Sequence, residues 1–129
     1  MTVIPFYAAV LACFYVGLSV RTLRMRRARK IAVGDGGDAL MLRAMRVHAN
    51  FAEYVPFALL LLWMLETAGA PAWSLHALAC TLLVGRIAHA WGVSREQERF
   101  AWRVSGMAAT FTVLLTAAAA LCLRPLWAP

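Results

Sequence analysis

Arg46, Asn50 and Glu53 stand at i, i+4 and i+7 in a long apolar chain. On a helix turning about 100° per residue they fall within roughly 60° of one another, on one stripe. Arg43 extends that stripe in one direction and Phe57 in the other. Pro56, three residues past Glu53, has no N–H for the carbonyl of Ala52, so a backbone acceptor is left open beside the stripe. Further along, Arg86 and His89 share a face at i, i+3, and Arg99 and Arg103 share one at i, i+4. An Arg–Glu pair serves equally well as a bond between helices or as part of a binding site. Several guanidinium groups converging with an Asn, a Glu and a His need more than a structural pair, and a polyanionic ligand accounts for them. His89 alone reads as a satisfied core histidine more readily than as a base. His48 falls off the stripe, His76 lies toward the far end of its helix, and neither is given a role.

Composition says which elements must position these residues. The chain has 129 residues, 63% hydrophobic and 15% charged. Soluble domains are typically ~45–50% apolar and ~25% charged, and a small domain cannot bury such an excess in one core. A membrane span takes ~20 apolar residues, so the apolar complement fills about four. A soluble enzyme, a disordered tail and a secreted disulfide scaffold are excluded. The net charge of +7 comes almost wholly from Arg, with Lys30 the single Lys. Because the basic residues cluster beside apolar runs, lipid headgroups and topology explain them, not nucleic acid. Cys13, Cys80 and Cys122 are scattered within apolar runs and read as free, buried thiols with no metal or nucleophile role. No metal site is expected.

The periodicity predicts a single all-α domain over residues 1–129, with spans at about 2–20, 49–67, 73–91 and 104–123. The first span is followed by Arg21, Arg24, Arg26, Arg27, Arg29 and Lys30, which end it. A cleavable signal peptide has its charge before a shorter apolar core, so this segment reads as a retained span. Gly34-Asp35-Gly36-Gly37-Asp38 is a turn, with Asp38 placed to cap the next helix. Gly69-Ala70-Pro71 is a second turn, free of basic residues. Ser94-Arg95-Glu96-Gln97 has capping-box spacing and predicts a start for the fourth helix ahead of the membrane. Arg-rich loops after spans one and three put both on the cytoplasmic side, with both termini facing away from the cytoplasm.

Arg46-Val47-His48-Ala49-Asn50-Phe51-Ala52-Glu53-Tyr54-Val55-Pro56 resembles the R-x-x-x-N-x-x-E-x-x-P pattern of the MAPEG family, the membrane-associated proteins of eicosanoid and glutathione metabolism. Gly85–Gly92 resembles the family's helix-three stretch and Arg103–Thr110 the start of its helix four, and the Gly-rich loop is that of bacterial members. The resemblance implies a left-handed integral membrane four-helix bundle that assembles as a homotrimer. It implies glutathione, as co-substrate, bound between subunits and open to the cytoplasm, in a bacterial inner membrane. By the same resemblance Arg46, Asn50, Glu53, Arg86 and His89 contact glutathione, with Arg21 or Arg24 contributing from helix one. Arg103, or its rival Arg99, stabilises the thiolate. Many eukaryotic members carry a Tyr one turn after the His89 position, where this chain has Val93.

The chemistry of glutathione suits this set. Its two carboxylates fit bidentate pairing with Arg21, Arg46 and Arg86, and its ammonium fits Glu53. A thiol with pKa near ~8.5 is mostly protonated at neutral pH, and a nearby guanidinium favours the nucleophilic thiolate. The expected function is that of a glutathione transferase or peroxidase acting on an apolar electrophile or lipid hydroperoxide dissolved in the membrane lipids. The rival functions are a non-catalytic binding scaffold of the same fold and a small multidrug transporter. The transporter reading lacks an acid in helix one, and the arginines around Glu53 repel cationic drugs.

Overall fold

A computed structural model describes residues 2–126 except Glu96 and Glu98. The chain forms four helices, α1 (Ile4–Arg29), α2 (Ala39–Thr67), α3 (Ala72–Ser94) and α4 (Phe100–Cys122), followed by one short 3-10 turn, Arg124–Leu126. All four are long and apolar enough to cross a membrane. Trp63, Trp73, Trp91 and Trp102 are exposed on the outside of the bundle. Such amphipathic rings favour the headgroup level of a bilayer.

Pro5 opens α1, where its missing N–H costs nothing. The helix does not stop where its apolar run stops. It continues through the arginines to Arg29, so its 26 residues rise about 39 Å against a hydrocarbon core of about 30 Å. Arg26, Arg27 and Arg29 lie in the last turn, where positive charge complements the helix dipole. Lys30 closes the helix in the left-handed conformation, and Gly34, Gly36 and Gly37 carry the chain round at positive φ. Asp38 caps α2 as expected, its carboxylate accepting from the Met41 N–H at 2.8 Å while pairing with Arg29. At the other end of the bundle, Glu66 of α2 accepts from the Val3 and Ile4 N–H groups and caps α1. Beside it Tyr7 meets His76 at 3.2 Å, linking α1 to α3.

The expected start of the fourth helix is corrected. Ser94 is the last residue of α3, and α4 begins at Phe100. The expected box pairs Ser94 with Gln97, but Gln97 lies in a bend outside any helix. The Ser94 hydroxyl instead meets a guanidinium N–H of Arg21. The connection is tied back by the Arg99 N–H, which donates to the Gly92 carbonyl at 3.2 Å.

Buried residues follow a heptad rhythm. The seam includes Phe51, Val55, Ala58, Leu62 and Leu65 on α2, Leu75, Ala79, Leu82, Arg86, His89 and Val93 on α3, and Gly106, Thr110, Val113 and Ala117 on α4, with Gly85, Ala90 and Gly92 buried beside it on α3. A seam repeating every 3.5 residues is what lets helices pack nearly antiparallel over their whole length. The helices α2 and α3 are central: α1 packs on both from one side, α4 packs on both from the other, and α1 and α4 do not meet. The three cysteines are free but exposed on the outside of the bundle, not buried within it. The apolarity around them belongs to the face turned to lipid, which a hydropathy reading cannot tell from a core.

Candidate functional site

The site begins where α3 and α4 touch. A Cβ added at Gly106 would lie 2.5 Å from the Gly85 carbonyl oxygen and 2.6 Å from the His89 nitrogen. One added at Gly92 would lie 2.7 Å from the Arg103 nitrogen. Only glycine allows this approach. It brings the first turns of α4 against the last turns of α3 and sets Arg103 across from His89 and Val93.

Beneath this contact lies Arg86, 1% exposed. It takes a seam position that an apolar residue would normally fill, and its guanidinium ties three helices together. One terminal nitrogen, Nη2, donates to Oδ1 of Asn50 on α2 at 2.6 Å and faces Nδ1 of His89 at 3.3 Å. The other, Nη1, reaches Oγ1 of Thr110 on α4 at 3.4 Å and the Met107 sulfur at 3.8 Å. The guanidinium carbon lies 5.7 Å from the centroid of the Phe51 ring, close enough for cation–π attraction. Its Nε has no hydrogen-bond partner.

These bonds orient their neighbours. A guanidinium only donates, so the Asn50 carbonyl and the His89 Nδ1 must accept. The Asn50 amide is left with its NH₂ donors, and the hydrogen of a neutral His89 ring sits on Nε2. Thr110, which also donates to the Gly106 carbonyl at 2.9 Å, ends the helix-four stretch Arg103–Thr110 but is given no role in the sequence reading. Its seam spacing from Gly106 and Val113 is the signal that marks it.

Above this floor opens a cleft of about 150 Å³ lined by Leu42, Arg43, Arg46, Asn50, His89, Val93 and Arg103. It draws on the start of α2, the end of α3 and the start of α4, so it lies at the end of the bundle that holds the two Arg-rich connections. Arg43 donates to the Val93 carbonyl at 3.4 Å. Arg46 is exposed at the rim. The salt bridge among the described residues joins Arg29 to Asp38, so Arg46 and Glu53 are not a bridged pair within the protomer.

Of the residues singled out by sequence, the cleft gathers Arg46, Asn50, His89 and Arg103, with Arg86 under its floor. Glu53 does not line it; it stands exposed on the same stripe, about 10 Å farther along the helix axis from Arg46. Arg99 is exposed outside the cleft. Arg24 is exposed on α1. Arg21 faces a separate groove between α1 and α3, where its Nη1 donates to Ser94 Oγ at 2.7 Å.

Four membrane-length helices with an arginine-rich cleft at one end define a polytopic membrane protein. The model of the MAPEG family matches residues 4–123, and the chain belongs to that family. It is similar to the inner membrane protein YecN of Escherichia coli strain K12, with 38% identity over 109 residues, covering 84% of this chain and 82% of YecN. The YecN of Escherichia coli O6:H1 gives the same identity and coverage.

Proposed function

We propose that this protein is a membrane-bound glutathione transferase, with peroxidase activity where the electrophile is a hydroperoxide. The observation that carries the reading is the cleft itself: Arg43, Arg46 and Arg103 line it together with Asn50 and His89. The glutathione carboxylates pair with Arg46 and Arg43, and Asn50 donates its NH₂ to the peptide. Arg86 acts from below, holding Asn50 and His89 in register. Arg103 faces the thiol and favours its ionised form. The thiolate then attacks an apolar electrophile arriving from the bilayer, forming a sulfur–carbon bond as the leaving group departs with the electron pair. With a hydroperoxide it attacks the terminal oxygen, the alcohol leaves, and a second glutathione thiol converts the sulfenic acid to the disulfide and water.

Two features support assembly as a homotrimer. The cleft is small beside the ~300–1,000 Å³ typical of ligand pockets. Glu53, the expected partner of the glutathione ammonium, is exposed at membrane depth, where an unpaired carboxylate costs several kcal/mol. A neighbouring copy completes the walls and covers Glu53. The helix-one arginine supplied across that boundary is better assigned to Arg24 than to Arg21, which Ser94 holds elsewhere. The likeness to YecN supports an inner-membrane location, and the Arg-rich connections favour a cleft facing the cytoplasm.

The test is a thiol-binding and conjugation assay on purified, detergent-solubilised protein, with glutathione and an activated aryl halide. Saturable conjugate formation supports the enzyme. Glutathione binding with no thiolate at any accessible pH replaces it with the non-catalytic scaffold, for which Val93 in the cleft wall leaves no hydroxyl to help the sulfur.

A further inference from the structure

We propose that the groove between α1 and α3 binds an anionic phospholipid, the headgroup phosphate against Arg21, Ser94 and Arg95 and an acyl chain in the apolar trough beside them. The groove is about 390 Å³, with Leu18, Ile87 and Trp91 among its apolar lining and the two arginines and the serine at one end. Its place on the bundle separates it from the thiol cleft. On α3 the cleft uses His89 and Val93, whereas the groove uses Trp91 and Ser94, and neighbouring residues on a helix point about 100° apart.

Both guanidinium groups are held in place yet keep donors to spare. Arg21 is half-buried and spends one N–H on Ser94 Oγ at 2.7 Å. The Arg95 guanidinium carbon sits over the Trp91 ring, 4.4 Å from its centroid, a contact that uses the ring face and not the N–H donors. Neither is bridged to a carboxylate among the described residues. A phosphodiester offers acceptor oxygens to that fork geometry. A hydrated free phosphate would leave the trough empty, and a zwitterionic lipid would press its own cation against two guanidinium groups. An anionic headgroup with its chain attached satisfies both halves, as basic pockets between membrane helices do elsewhere.

The experiment reconstitutes the protein in phosphatidylcholine vesicles doped with spin-labelled phosphatidylglycerol or spin-labelled phosphatidylcholine and compares the motionally restricted fraction of each. Wild type should retain phosphatidylglycerol in preference, and Arg95→Gln and Arg21→Gln should each reduce that preference about fivefold. Arg95 is exposed and helix-terminal, so its variant carries the test if Arg21→Gln fails to fold. Arg27→Gln, an exposed arginine outside the groove, should leave the preference unchanged. Equal retention of the two lipids by wild type overturns the proposal, as does an Arg27→Gln effect equal to that of Arg95→Gln, which would mean diffuse surface charge. Ready disulfide cross-linking between copies through Ile87→Cys, in protein whose Cys13, Cys80 and Cys122 are replaced by Ala, would also overturn it. A neighbouring subunit would then cover the groove.

Discussion

Arg86 shows how one side chain can serve a site without lining it. Its two terminal nitrogens hold Asn50, His89 and Thr110, from three helices. Arg86→Met should leave those acceptors unpaired in a dry interior and cost roughly 1–3 kcal/mol per orphaned group. Arg86→Lys should not rescue it, since a point ammonium cannot span the same acceptors. Unfolding in increasing SDS mole fraction measures both. The cleft residues divide differently. Arg103→Leu should raise the pKa of bound thiol by one or two units, lowering the thiolate fraction at neutral pH roughly ten- to hundredfold with little change in glutathione affinity, since each unit is worth ~1.4 kcal/mol. Glu53→Gln should weaken binding and leave the titration near normal. Thiolate absorbance against pH separates the two. Loss of the thiolate in Arg99→Leu but not in Arg103→Leu would move the assignment one turn toward the start of α4.

Two helices carry two faces each, and the site sits where the faces conflict. One face of α2 is the seam from Phe51 to Leu65, while the stripe of Arg46, Asn50 and Glu53 runs along another. The seam of α3 would be wholly apolar but for Arg86 and His89. What reconciles them is the close α3–α4 contact at Gly85, Gly92 and Gly106. Small residues at such contacts are a membrane helix's main route to tight packing, because lipid offers no hydrophobic drive to associate. Gly106→Val should therefore force α4 outward, cost roughly 1–3 kcal/mol as overpacking does, and lose thiol binding as Arg103 leaves His89. Gly17→Ala is the control: a Cβ there meets nothing within 4 Å, so stability and binding should hold. Thermal unfolding in detergent with parallel binding isotherms distinguishes them.

The whole molecule is a bundle with charge gathered at one end and an unpaired acid part-way along. Glu53 facing lipid is costly in a lone protomer, so a trimer with α2 toward its centre is the expected form. Mass analysis by light scattering in mild detergent should give three copies; a monodisperse monomer that still binds glutathione contradicts the trimer and the shared site together. Orientation is checked separately. Single cysteines introduced between Arg26 and Asp38, in protein lacking its native cysteines, should resist membrane-impermeant thiol reagents added to intact cells. Labelling from outside would put the Arg-rich end in the periplasm.

The number of helices, their membrane length, the Asp38 cap and the stripe on α2 were legible in the chain because each depends on neighbours within a few turns. Apolar run length and 3.6-residue periodicity are local quantities, and the R-x-x-x-N-x-x-E-x-x-P pattern is a local string. The start of α4 was misread for a related reason: Ser94 has the right spacing for a cap, but Arg21, 73 positions away, meets its hydroxyl. Likewise an exposed cysteine and a buried one look alike inside an apolar run, because lipid and protein core are equally dry. Which arginine lies under the floor, which lines the wall and which turns to another groove depended on how the faces of four helices meet. That is set by glycines on separate helices whose closeness no spacing within one helix reveals, and the gathering of Arg46, Asn50, His89 and Arg103 into one cleft follows from their contact.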